Sequence, residues 1–143
     1  MKKSLIIFML VQSLLSIAQE ETIISLDKNN IQKTNIFVKV DTMPELICDF
    51  SGNYLEKINS FIEQNLRWPN SEIDCTGKVY VQFVVEIDGS ISDINIIRGL
   101  DSCEGFNEEA IRVIKLMKNW KPGIKNGKNV RVQLTIPVKF MLK

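Results

Sequence analysis

The stretch from Lys78 to Ile91 constrains this chain more than any other. Val79, Val81, Phe83, Val85 and Ile87 fall on every second residue, with Lys78, Tyr80, Gln82 and Glu86 between them. Alternation with a period of two puts one set of side chains on one face of a strand. The run ends at Asp88-Gly89, a dipeptide that tolerates positive φ at both centres of a tight type I′ turn. A second β-rich run carries Ile91, Ile94, Ile96 and Ile97 up to Arg98-Gly99. A two-residue loop at Asp88 and Gly89 predicts Phe83 opposite Ile94 and Val81 opposite Ile96. A slip of one residue would send these partners to opposite faces. Other elements must then cover the apolar face.

Two helical patterns can do so. Asn53 to Leu66 carries Leu55, Ile58, Phe61, Ile62 and Leu66 at helical spacing, a stripe that reads as core. Asn53 with Glu56 three residues on resembles a capping box, and Trp68-Pro69 ends the helix. The second helix is predicted over Glu108 to Lys118, capped by Asn107, with Ala110, Val113, Ile114 and Met117 as its buried stripe. Trp120 follows and reads as core, then Lys121-Pro122-Gly123 breaks the helix and Asn126-Gly127 turns the chain.

The last strand is predicted over Val130 to Leu142, with Val130, Val132, Leu134, Ile136, Val138, Phe140 and Leu142 alternating. Pro137 stands on the other parity. Proline lacks an N–H and is confined within sheets to edges and bulges, so this strand is expected at an edge over at least its C-terminal half. Arg131 and Lys139 resemble the charges that keep an edge from pairing at random. A short strand is also predicted over Ile36 to Val40; Thr22 to Leu26 is a weaker candidate. The order strand, helix, strand, strand, helix, strand predicts an α+β domain: a small antiparallel sheet with two helices packed on one face.

The chain is 143 residues long, 45% hydrophobic and 24% charged, with a formal net charge of +1. That balance offers no electrostatic footprint for nucleic acid. Met1 to Ala18 reads as a cleaved signal peptide: Lys2 and Lys3 precede an apolar run from Leu5 to Ile17, and Ser16-Ile17-Ala18 suits cleavage. Residues 19–34 then form a polar, flexible segment, and 35–143 the folded domain. An uncleaved N-terminal anchor is the alternative. Export makes a disulfide plausible. In the hairpin register Cys75 sits opposite Ser102, beside Cys103, so a Cys75–Cys103 bridge is the favoured pairing against three reduced thiols, with Cys48 left unpaired.

The absence of histidine removes the commonest general base and metal ligand. Asp88 reads as a turn residue, Glu108 and Glu109 as a helix start, and Cys103 has no histidine partner. The sequence therefore predicts no enzyme, no metal, no cofactor and no small-molecule substrate.

Taken in order, Met43-Pro44-Glu45, Phe50-Ser51-Gly52, Trp68-Pro69, Gly77-Lys78-Val79, Asp88-Gly89-Ser90-Ile91, Ala110, Trp120-Lys121-Pro122-Gly123, Gly127-Lys128, Pro137 and Phe140 resemble the C-terminal domain of TonB-type energy transducers. The resemblance covers Ile36 to Leu142. It implies a periplasmic domain whose last strand adds an extended peptide of an outer-membrane TonB-dependent receptor, or of another envelope protein, to its sheet. Carried over by residue, it implies partner contacts at Trp68, Pro69 and the run Val130, Arg131, Val132, Gln133, Leu134, Thr135, Ile136, Pro137, Val138, Lys139 and Phe140. For Trp68 the competing explanation is helix-end packing; for Pro137 it is simple termination of pairing. Family transducers also carry an uncleaved anchor with a functional histidine and a long proline-rich spacer. Neither feature is seen here, which points to a stand-alone domain. A homodimer pairing its own last strand is the competing binding mode.

Overall fold

The computed structural model describes residues 35–70 and 74–141. The expected leader (1–18), the polar segment (19–34) and the weak strand at Thr22 to Leu26 lie outside the described residues. The elements run β1 (Ile36–Phe37), β2 (Glu45–Leu46), α1 (Tyr54–Asn65), β3 (Gly77–Val85), β4 (Ile91–Arg98), α2 (Glu104–Lys115), β5 (Trp120–Lys121), β6 (Gly123–Lys125) and β7 (Lys128–Phe140). The class is α+β, as expected.

Alternating valines make β3 and β7 an antiparallel pair in unbroken register, from Gly77 opposite Phe140 to Val85 opposite Val132. The main sheet runs in the order β1-β7-β3-β4, with β6 pairing the first residues of β7. It is not purely antiparallel. β1 runs parallel to β7 through Ile36–Arg131 and Phe37–Val132. Most of the domain separates these two strands in sequence, so no hairpin obliges them to reverse. β1 is also shorter than the expected Ile36 to Val40. β2 and β5 form a separate two-stranded ladder, Leu46 opposite Trp120, where only a helix break was expected.

The β3–β4 turn is wider than a two-residue loop. Glu86 donates its N–H to Ser90 O at 2.8 Å, and Gly89 donates to Glu86 O at 3.0 Å. Asp88 is taken up by Ser90, whose N–H and hydroxyl both reach its carboxylate, at 3.0 and 2.6 Å. Gly89, at φ +82°, alone takes the left-handed conformation, and a Cβ there would strike the Trp120 carbonyl oxygen. Pairing therefore starts at Val85–Ile91. A bulge restores the expected Val81–Ile96 pair, Asp93 lying within it at φ +49°, so Phe83 stands at the irregularity rather than opposite Ile94. At Asn126 and Gly127, with φ +51° and +73°, the expected tight turn does form.

Val79, Val81, Phe83 and Val85 of β3, and the even-numbered residues of β7 from Val130 to Phe140, build the sheet side of the core. Phe106, Ala110, Val113 and Ile114 of α2, with Met117, cover it. α2 packs on β3 and β4, while α1 rests on α2 and β2. The capping box of α1 is present: Asn53 Oδ1 accepts from the N–H of Leu55 and Glu56, and Glu56 accepts from the N–H of Asn53. Ile58 and Ile62 are buried, but Leu55 is 63% exposed, because the predicted stripe is wider than the surface α1 rests on. α2 begins one turn earlier than expected. Burial of Phe106 draws its first turn onto the core, and Asn107 sits inside the helix, its amide accepting from Leu100 N–H and donating to Leu100 O.

A disulfide joins Cys75, before β3, to Cys103, at the start of α2; Cys48 is free and half-buried. It closes a loop that holds the whole β3–β4 hairpin. Replacing both cysteines by alanine should cost about 3–4 kcal/mol from loop entropy at this separation of 28 residues. Phe83→Ala, removing a fully buried ring, should cost about 3–5 kcal/mol. Denaturant unfolding checks both; a loss below about 1 kcal/mol for Phe83→Ala would contradict its place in the core.

Candidate functional site

The two flanks of β7 differ. Glu86 faces β4, since its N–H bonds Ser90. Backbone groups alternate along a strand, so those of Val85, Phe83, Val81 and Val79 face β7. Their partners are Val132, Leu134, Ile136 and Val138. The odd-numbered residues of β7 therefore direct their N–H and C=O groups to the opposite flank. There β1 meets Arg131 and Val132. From Gln133 to Lys139 no strand pairs with that flank among the described residues. Pro137 has odd parity, so its missing N–H costs the β3 ladder nothing.

This sorts the run Val130 to Phe140. Val130 is paired with Gly123, and Val132 has neighbours on both sides. Val130 turns its backbone groups to β6, on the same flank as β3, and the expected free edge starts only after Arg131, where β1 closes the outer flank. Leu134, Ile136, Val138 and Phe140 bury their side chains and face β3. Gln133, Thr135, Pro137 and Lys139 face outwards. On the same sheet face Arg131 makes a bidentate pair with Glu86, at 2.7 and 2.8 Å, and holds the Glu86 carboxyl below its ordinary range.

Beside the free flank lies a groove of about 700 Å³. Pro137, Lys139 and Met141 form one wall; Asn59, Ile62, Glu63 and Leu66 form the other, and Trp68 closes it. Trp68 is 41% exposed. Beneath it the ring meets Phe106 edge-on at 5.2 Å and Phe140 at 6.2 Å, so the indole is both packed and accessible. Pro69 does not line the groove; it lies towards Gly105 of α2. The α1 wall was missed in the sequence, where Ile62 and Leu66 read only as a core stripe. Periodicity marks a buried face but not the strand edge beside which it stands.

An ionic brace fixes the chain as it leaves α1. Arg112 donates to both Glu109 carboxylate oxygens, at 2.6 and 2.7 Å, and to the Asn65 carbonyl at 2.7 Å. Glu109 also accepts the Arg67 N–H at 2.7 Å. Trp68 is the next residue. Burial pushes the Glu109 carboxyl upwards, but Arg112 and the Arg67 N–H outweigh it and hold the group below its ordinary value. Among the described residues, no group of three or more His, Cys, Asp or Glu side chains is placed to hold a metal ion, and no helix is long and apolar enough to cross a membrane.

Comparison with known proteins adds a family. The one described as Gram-negative bacterial TonB protein C-terminal matches residues 71–142. Two solution structures of the Helicobacter pylori TonB C-terminal domain are similar. The longer segment is 28% identical, covers 66% of this chain and 86% of its own, with a TM-score of 0.48; the shorter is 29% identical, with 65% and 98% covered and a TM-score of 0.47. No curated protein matches the chain.

The brace generates a pH prediction. With its folded pKa lowered, Glu109 contributes its full stability above the ordinary carboxyl pKa of about 4.3 and loses it as pH falls through the lower folded value. Denaturant unfolding across that acid range should show a shallower decline for Glu109→Gln than for the parent chain. Parallel curves would remove Glu109 from the brace.

Proposed function

Because this chain belongs to the family of Gram-negative bacterial TonB protein C-terminal domains, we propose that it takes up an extended segment of an outer-membrane TonB-dependent receptor, or of a related envelope protein, by strand addition. TonB C-terminal domains are periplasmic transport domains, and the reading includes export of this chain through cleavage of the leader 1–18. The segment lies along the outer flank of β7 from Gln133 to Lys139, with Trp68 and the α1 wall receiving its side chains.

One observation carries this reading: a run of outward backbone groups, without a partner strand among the described residues, lies beside an apolar groove. Gln133, Thr135 and Lys139 offer N–H donors, and all four outward residues offer carbonyls. Each main-chain bond formed there contributes about 0.5–1.5 kcal/mol net. Such bonds supply affinity for any extended chain, while the groove supplies choice among side chains. Pro137 omits one donor, so the partner's facing carbonyl stays solvated.

Titration of the mature chain with a receptor-derived peptide, read by tryptophan fluorescence, tests it. Thr135→Pro removes an outward donor and should weaken binding by about tenfold, one lost bond at the upper end of that range, with the circular dichroism spectrum unchanged. Val132→Pro, whose N–H serves the β3 ladder, should instead disturb the spectrum itself. A stable dimer by light scattering that ignores the peptide would reassign the flank to a second copy of the chain.

A further inference from the structure

Three cations gather where β3 begins and β7 ends. Lys78 and Lys139 are directly opposed in the β3–β7 register, and Arg98 is opposed to Tyr80 in the β3–β4 register. Like charges placed directly opposite across a ladder destabilise it. Lys78, Arg98 and Lys139 are all exposed, and none forms an ion pair among the described residues, whereas Lys57, Arg112, Lys121 and Arg131 all do. The Arg98 guanidinium stands 6.0 Å from the Tyr80 ring centroid, which holds it over the sheet. One acid, Asp101, lines the recess that holds Lys78 and Arg98, without an ion pair to either.

Two shallow recesses open beside Lys78. One, of about 420 Å³, contains Tyr80 and Arg98; the other, of about 400 Å³, contains Lys139 and Met141. Lys139 and Met141 also wall the apolar groove. The groove and the basic recess are therefore continuous across one ridge. A chain leaving the groove at this end passes over Lys139 and meets Lys78, then Arg98.

We propose that the docking segment carries acidic residues beyond its strand-adding part, and that Lys78, Arg98 and Lys139 receive them. This rests on the strand-addition reading and names the chemistry of the partner's flank. Opposite charges brought there relieve the lysine–lysine repulsion in the free domain and steer the segment into one direction along β7.

The test uses synthetic peptides of alternating threonine and valine, long enough to span residues 133–139. They carry a pair of glutamates at the N-terminus, a pair at the C-terminus, or glutamines at both ends. One acidic peptide should bind about three- to tenfold tighter than the glutamine peptide at low salt, as expected for a few exposed ion pairs. The gain should fade at high salt. It should also collapse in Lys78→Gln and in Arg98→Gln, and persist in Lys118→Gln. Equal binding of all three peptides would overturn the acidic flank while leaving strand addition standing. Failure of every peptide would overturn both. A gain that survives Lys78→Gln and Arg98→Gln would also overturn the proposal. So would flotation with phosphatidylglycerol vesicles that depends on these residues without any peptide gain, which would assign the cations to a lipid surface.

Discussion

The β3–β7 ladder is the constraint on which the rest of this structure depends. Its register runs without a bulge from Gly77–Phe140 to Val85–Val132, and that continuity fixes two things at once. It sets which side chains enter the core, because each parity faces one way. It also sets which backbone groups β7 turns outwards. A slip of one residue would expose the valines and turn the Pro137 nitrogen towards a ladder partner it cannot serve. The irregularities are pushed elsewhere: the bulges fall on β4, at the far side of β3.

From that ladder the groove follows. Phe140, at the last paired position, supports Phe106, and the two carry Trp68 between α1 and the sheet. Glu109 and Arg112 hold the turn that leads to Trp68 from the other side. A largely apolar wall thus meets a row of backbone groups that no strand pairs among the described residues. In the strand-addition reading proposed above, the backbone row supplies affinity and the wall supplies choice among side chains. The chain belongs to the TonB C-terminal family.

Much of this was legible in the sequence, for local reasons. The alternation in β3 and β7, the Asn53–Glu56 box and the Asn126-Gly127 turn each draw on residues within a few positions of one another. The Cys75–Cys103 bridge followed from hairpin ends that must lie close together. What was missed depends on contacts distant in sequence. Gly89 adopts a wider turn because Trp120 lies against it. α2 gains a turn because Phe106 has a buried place to fill. β1 runs parallel, and β2 and β5 pair, through neighbours that no periodicity marks. Gln133 to Lys139 could be read as an edge from Pro137, but the α1 wall beside it could not.

Pro137 has one more consequence. An uncovered β-edge invites copies of the same chain to stack without limit, each supplying the template for the next. A filament of that kind repeats its hydrogen bonds at every residue of the outward parity. Here one position in the middle of the row has no proton to give, and Lys139 sets a positive charge beside the following one. The rim therefore makes a poor seed for fibre growth.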